Sequence, residues 1–270
     1  MNKQAKANGG RGIEWCDYTW NPIRGCMHAC QWMMPDGTIA NCYAEDVAGR
    51  VASKAYPHGF EHHYWTPTLL GAPARVAEPS KIFVGSMADV FGHWVPDEQI
   101  EQVLDVARSY APWHTYIFLT KNPQRLRQFT FTSNCWVGVS TPPNFFWNRG
   151  LTPHQRRRLL QTSLGVLSDL KARGATTWIS AEPLSIDIVP DINDAWMGDP
   201  YQCPPVDWIV IGAASNGRAQ YAPDEAPVRG LVDYCDETGI RVFFKGNLRS
   251  LPWAAENWRE DFPMAEVHRA

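Results

Sequence analysis

The chain has 270 residues, 44% of them hydrophobic and 20% charged, with a formal net charge of −3 and a pI near 6.2. That balance excludes the global basic field that gathers nucleic acid non-specifically, so any polyanion would need a local patch. Nowhere does an apolar run approach the roughly 18 residues of a membrane span, and the length suits one large domain.

In chain order, residues 1–12 (MNKQAKANGGRG) have no apolar run and read as a flexible tail, neither export signal nor anchor. Seven cysteines in a chain without an export signal argue for reduced thiols in a cytoplasm, not a disulfide framework. Three of them, Cys26, Cys30 and Cys42, share the segment TWNPIRGCMHACQWMMPDGTIANCYAED, which runs into a helix. Three thiolates fall one short of a closed tetrahedral site. On a four-iron, four-sulfur cluster they would leave one iron open to an exogenous ligand. Cys16 is a candidate fourth ligand or a packed residue at the first strand. Cys135 and Cys235 fall in apolar patterns and read as small core residues, and Cys203 stands alone.

Short apolar runs then alternate with helical patterns. The strands are KIFVGS (81–86), TYIFLT (115–120), CWVGVS (135–140), TTWISA (176–181), DWIVIG (207–212) and RVFFKG (241–246). The helices are 96–110, 152–174 and 222–239, the last two closing on Gly174 and Gly239. Segment 185–206, rich in Pro and Asp, reads as a long loop. This alternation predicts an α/β fold with parallel strands, a partial or complete βα barrel over 13–251, with 252–270 as an extension packed on or trailing it. In such folds functional side chains gather where strands end. Ser86 and Asp89, Lys121, Ser140, Glu182, Gly212 and Ser215, and Lys245 all fall there. Thirteen tryptophans read chiefly as core.

The blocks TWNPIRGC, NCYAED, IFVGSMADVF, FLTKNPQRL, CWVGVS, WISAEPL, WIVIGAAS and FFKGN run in that order from about Ile13 to Asn247. Together they resemble a family of phage and bacterial proteins described as phage radical-SAM-like, a branch of the radical S-adenosylmethionine superfamily. The resemblance implies a barrel of the radical SAM type and a [4Fe-4S] cluster held by Cys26, Cys30 and Cys42. It implies S-adenosyl-L-methionine bound to the open iron through its amine and carboxylate. An electron from an external donor such as flavodoxin would then cleave the sulfonium to a 5′-deoxyadenosyl radical that abstracts hydrogen from substrate. By position, Ser86 and Asp89 would meet the methionine amine, and Ser140 the ribose or carboxylate. Glu182 would meet a ribose hydroxyl or the substrate, and the backbone from Gly212 to Ser215 the adenine. Lys121 and Lys245 would bind the cofactor carboxylate or a substrate phosphate, and Lys121, Glu182 and Lys245 are the catalytic candidates. The implied substrate is an amino-acid-derived, glycine-type substituent on thymidine, in phage DNA or its nucleotide, rearranged by an isomerase in the host cytoplasm.

The superfamily's usual spacing has three and then two residues between the cysteines, whereas here three are followed by eleven. QWMMPDGTIAN therefore looks like an insertion with a turn at Pro35, Asp36 and Gly37, which leaves the middle ligand in question. Two rival readings remain. One is a zinc site of Cys26, His28, Cys30 and Cys42. The other is a non-enzymatic nucleic-acid-binding module using Arg125, Arg127, Phe145 to Arg149, His62 to Trp65 and Arg156 to Arg158, the last read primarily as a solvated helix face.

Overall fold

The computed structural model describes residues 1–4, 12–34, 36–50, 52–198, 203–216 and 219–263. Eight strands form one sheet in sequence order: β1 (Asn2–Lys3), β2 (Tyr18–Trp20), β3 (Lys81–Val84), β4 (Thr115–Thr120), β5 (Cys135–Ser140), β6 (Thr176–Ala181), β7 (Trp208–Ile211) and β8 (Arg241–Phe244). Only β1 runs antiparallel to its neighbour; the other pairings are all parallel. Each strand lies beside its predecessor, the order that successive βα units produce. Among the described residues no pairing joins β1 to β8, so the sheet is open and the complete barrel is not formed.

Helices α1 (Tyr43–Arg50), α2 (Asp97–Asp105), α3 (Pro123–Leu126), α4 (Pro153–Lys171), α5 (Val189–Met197), α6 (Glu225–Thr238) and α7 (Pro252–Glu256) complete the fold. Helix α4 opens on a reciprocal capping box: Thr152 Oγ1 accepts from the Gln155 N–H, and Gln155 Oε1 from the Thr152 N–H. Helix α6 ends at Gly239, whose φ of 74° is the left-handed cap a side chain would resist.

The period-2 alternation of each strand sorts its residues into two cores. Ile82, Phe118, Val137, Ile179, Ile209 and Phe244 face the helices. Phe83, Ile117, Trp136, Trp178, Trp208 and Phe243 form the other face, with Trp15 and Cys16 packed among them. Four of the thirteen tryptophans, Trp15, Trp136, Trp178 and Trp208, are thus a packed plug beneath the sheet's mouth. Gly138 makes room for it, since a Cβ there would lie 2.3 Å from Trp178 Nε1, which donates to the Phe118 carbonyl at 3.0 Å.

Several expectations change. Asn2–Lys3 is an edge strand paired with Tyr18 and Thr19; residues 5–11 lie outside the described ones. The loop expected at 185–206 contains α5, because Pro190 fits a first helical turn and Asp191 is buried against Arg157 and Gln161. The extension from 252 packs on the domain: Phe244 N–H donates to Arg259 O and Asp261 N–H to Val242 O, both at 2.9 Å, and Phe262 stacks among Trp136, Trp208 and Phe243. Arg156 is not on a solvated face; it is buried and donates to Pro142 O at 2.8 and 3.0 Å. Arg125 is spent on the Gly92 and Val95 carbonyls and Asp97, and Arg127 on Asp169.

Candidate functional site

The C-terminal ends of β3, β4 and β5 and the segment after β2 line a cleft open to solvent. Cys26, Cys30 and Cys42 line it together with Ser86, Asp89, Lys121 and Ser140. With His28, eight of the residues singled out in the sequence therefore meet in one place.

Local backbone chemistry explains the convergence of the thiols. Gly25 has φ of +87° and no room for a side chain, since a Cβ would lie 1.8 Å from His62 O. Its N–H donates to Met87 O at 2.9 Å and that of Cys26 to Phe60 O at 2.8 Å, so the first cysteine is held between two loops. Ala29, at φ 49°, turns the chain back before Cys30. The insertion is an ordered hairpin: Gln31–Met33 pairs antiparallel with Ile39–Asn41 in the register Gln31↔Asn41, Trp32↔Ala40, Met33↔Ile39. Gln31 Nε2 also donates to Asn41 Oδ1 at 2.8 Å. Cys30 and Cys42 each sit one residue outside the Gln31↔Asn41 pair, so the hairpin brings together what the sequence separates. A second hairpin, Phe145–Phe146 with Arg149–Gly150, extends this into a four-stranded antiparallel roof over the mouth. The expected turn falls at Asp36 and Gly37, with Gly37 at φ +80°; Pro35 lies outside the described residues.

Burial pushes the Cys30 thiol from its usual 9.0 up to about 12, against the pull of the Lys121 ammonium and with help from Cys42, Asp89 and Glu45. Burial also raises Cys26 well above its ordinary value, with the Asp89 charge adding to it and a hydrogen bond from the His28 backbone opposing it. Buried thiols like these stay protonated unless a counter-charge arrives, and a metal deprotonates a coordinating thiol outright. Burial would lower Lys121, yet its pKa is raised, by Cys30, Cys42 and Cys26 once they are thiolates and by the Asp89 carboxylate. Its Nζ stands 5.7 Å from the ring centre of Trp32, on the insertion hairpin.

Asp89 is placed differently from its expected role at a cofactor amine. It is 4% exposed, and its oxygens accept from His28 Nε2 at 2.7 Å, Thr120 Oγ1 at 2.7 and 2.9 Å, and the N–H groups of Lys121 at 2.8 Å and Phe91 at 3.0 Å. It therefore anchors both the cysteine loop, through His28, and the backbone of Lys121. The zinc alternative is not removed by this pairing: His28 Nε2 is held by the carboxylate, while its Nδ1 is buried without a partner, as in a carboxylate-oriented metal-binding imidazole. Among the described residues no three Cys, His, Asp or Glu side chains form a ready group for a single metal ion. A cubane places each thiolate on its own iron and asks for a wider spacing than one ion does.

Glu182, Gly212 and Lys245 gather separately, where β6, β7 and β8 end. Lys245 Nζ lies 2.7 Å from Glu182 Oε2, and a Cβ on Gly212 would stand 3.2 Å from both side chains. Burial would lower the Lys245 ammonium, but Glu182, with Glu14 and Cys16 beyond it, holds it up. Cys16 thus belongs beside this pair and the tryptophan plug, not with the three thiols. Ser215 lies in the ribbon Ala214–Asn216 that leaves the sheet after β7. Sequence reasoning missed Tyr43, which joins the two halves. Half of the residue is exposed, but its hydroxyl is turned inward, donating to Ser86 O at 2.6 Å, and desolvation of that group, with Cys42, Glu182 and Cys16 nearby, raises its pKa. Its place directly after Cys42 at the start of a helix was the available signal.

No curated protein matches the chain. Among solved structures, the crystal structure of Streptococcus suis SuiB is similar at a TM-score of 0.40 and 10% identity, covering 94% of this chain and 55% of that one. The chain thus spans about half the length of that protein. No described helix is long and apolar enough to cross a membrane. A family model described as "Protein of unknown function (DUF5131)" matches residues 10–256, nearly the whole length, and the chain belongs to that family.

Proposed function

We propose that this chain is a radical S-adenosylmethionine enzyme of the radical SAM barrel type, with Cys26, Cys30 and Cys42 as the ligands of a [4Fe-4S] cluster. One observation carries the reading: the hairpin register that sets Cys30 beside Cys42 in a cavity also lined by Cys26, at the carboxyl edge of a parallel sheet. The donor set fits, being three soft thiols whose burial favours coordination over free thiolate. Bound there, the cluster and S-adenosylmethionine would supply reductive carbon–sulfur cleavage and a carbon radical, with an external one-electron donor such as flavodoxin.

The chain's own residues have separable tasks. Lys121 offers a fixed positive charge to a carboxylate, and the hydroxyl of Ser140 and the backbone around Ser86 offer polar contacts to the cofactor's remaining groups. The tryptophan plug below and the Trp32 hairpin above exclude water, which a carbon radical requires. Across the mouth, Glu182 and Lys245 provide a charged pair for substrate. The motif resemblance extends the reading to isomerisation of an amino-acid-derived substituent on phage thymidine. Nucleoside mass spectrometry after incubation of DNA with reconstituted protein, dithionite and S-adenosylmethionine tests that step.

The cluster is tested by anaerobic reconstitution. Wild type should bind about four iron and four sulfide per chain, with a paramagnetic spectrum that changes on adding S-adenosylmethionine. Cys26→Ala, Cys30→Ala and Cys42→Ala should each abolish it, while Cys16→Ala and Cys135→Ala should keep it. Zinc without acid-labile sulfide in wild type, or iron lost on replacing Cys135, refutes the assignment.

A further inference from the structure

The tip of the hairpin Phe145–Gly150 consists of Trp147 and Asn148, at φ 56° and 57°. Two successive left-handed residues fit the tight turn such a hairpin prefers, and Asn suits that conformation, but a tryptophan there is a steric outlier. Strain of this kind persists where the surroundings enforce it and directs attention to function. Here the Trp147 N–H donates to His28 O at 2.8 Å, tying the tip to the loop between Cys26 and Cys30.

The strained side chain is 38% exposed and packs against His28, which lines the thiol cavity. Its ring lies 5.0 Å from His28, 5.1 Å from His93, 5.4 Å from Phe146 and 5.9 Å from Trp94. The interplanar angles run from 53° to 79°, so none of these contacts is the parallel stack that a flat ligand would make. Arg149, next in the hairpin, is exposed, and the chain from Thr141 to Ser168 contains no Asp or Glu. Within that stretch Arg156 and Arg157 are consumed internally, whereas Arg149 and Arg158 remain at the surface. Asp97, the acid nearest Trp94 in sequence, is neutralised by Arg125.

We infer that Trp147 is a stacking platform for an unpaired base of a nucleic-acid strand, with Arg149 taking an adjoining phosphate. This identifies the substrate class of the same mouth and so rests on the proposed function for its purpose, though not for its observation. An exposed aromatic hairpin tip on a stretch without Asp or Glu suits an extruded or single-stranded base, because every base has a π face and every linkage a negative charge.

The test is fluorescence anisotropy of a labelled single-stranded oligodeoxynucleotide with the full-length chain at several salt concentrations. Duplex DNA and thymidine monophosphate serve as comparison arms. Trp147→Asn fits the left-handed turn without a ring and should weaken binding about 5- to 150-fold, the span of base–aromatic stacking, while Trp147→Phe should largely restore it. Arg149→Ala should flatten the slope of log affinity against log salt by about 0.7, one single-strand contact. Equal binding by wild type and Trp147→Asn, no binding by wild type, or binding of the mononucleotide alone would overturn the inference. Because binding is read without turnover, a chain that lacks a cluster yet binds through Trp147 would refute the proposed function and leave the platform standing.

Discussion

Replacing Asp89 with Asn tests the arrangement beneath the thiols, because the change keeps volume and removes one buried charge. The carboxylate accepts from His28 Nε2, Thr120 Oγ1 and two backbone N–H groups. An Asn in its place must turn an NH₂ toward either the His28 and Lys121 donors or the Phe91 N–H, leaving at least one buried donor unsatisfied at about 1–3 kcal/mol. Adding the loss of the His28 pairing brings the expected destabilisation to about 3–5 kcal/mol, the usual range when one partner of a buried charged pair is removed. Urea unfolding of the apo chain at neutral pH measures it. The pH dependence supplies a second readout. Burial acts to raise the Asp89 carboxyl, but the hydrogen bond and charge of His28, with the Lys121 N–H and Thr120 hydroxyl, hold it below its ordinary 3.8. A group whose folded value is depressed contributes stability that is complete above the unfolded value and is lost as pH falls through the folded one. The gap between wild type and Asp89→Asn should therefore be constant near neutrality and shrink below about pH 3.8. A loss under about 1 kcal/mol, or a gap that widens in acid, would refute the anchor.

Two further substitutions probe the plug beneath the site. Gly138→Ala puts a methyl 2.3 Å from the Trp178 indole, which is fully buried and cannot swing away. Overpacking together with a weakened bond to Phe118 O should cost about 2–5 kcal/mol, read as a fall in thermal midpoint and in near-ultraviolet circular dichroism. Phe262→Ala removes the ring that stacks among Trp136, Trp208 and Phe243 and lies 4.4 Å from Lys81 Nζ. It should cost about 1.5–3 kcal/mol in denaturant unfolding; an unchanged midpoint would mean that the segment from 252 merely trails.

The strands at 115–120, 135–140 and 176–181 were legible to the residue because each is a short apolar run buried on both faces and bounded by turn formers. The candidate site was legible where strand ends carry polar residues. What stayed hidden depends on contacts distant in sequence. The roof strands Gln31–Met33 and Phe145–Phe146 are only three and two residues long, too short for a periodic signal, and they pair across more than a hundred residues. Asp89 looked like a partner for the cofactor amine because its partner in the fold, His28, lies 61 residues away. Arg156 looked solvated because helical spacing alone says nothing of the Pro142 carbonyl that it meets. Helix α5 was obscured by Pro190 and Asp191, residues typical of loops that here serve a first turn and an ion pair between a buried Asp191 and a half-exposed Arg157.

The same non-local pairing makes the insertion the most discriminating element to perturb. Closing a flexible loop of eleven residues costs about 2 kcal/mol in chain entropy. If the hairpin merely decorates the mouth, Cys30 and Cys42 must meet that cost whenever a cluster binds. If the Gln31↔Asn41 register holds them together beforehand, the cost is met in folding. Exchanging Trp32, Met33, Ile39 and Ala40 for Gly and Ser, at constant length, should therefore weaken retention of iron and sulfide against a competing chelator by about 30-fold. Replacing only Asp36 at the tip, as Asp36→Asn, should leave retention at the wild-type level, because an Asn Oδ1 can still accept from Thr38 ahead of Gly37. Equal retention in all three chains would mean that the thiols are brought together by the Gly25 and Phe60 contacts around Cys26 alone, and that the roof serves the substrate and not the cluster.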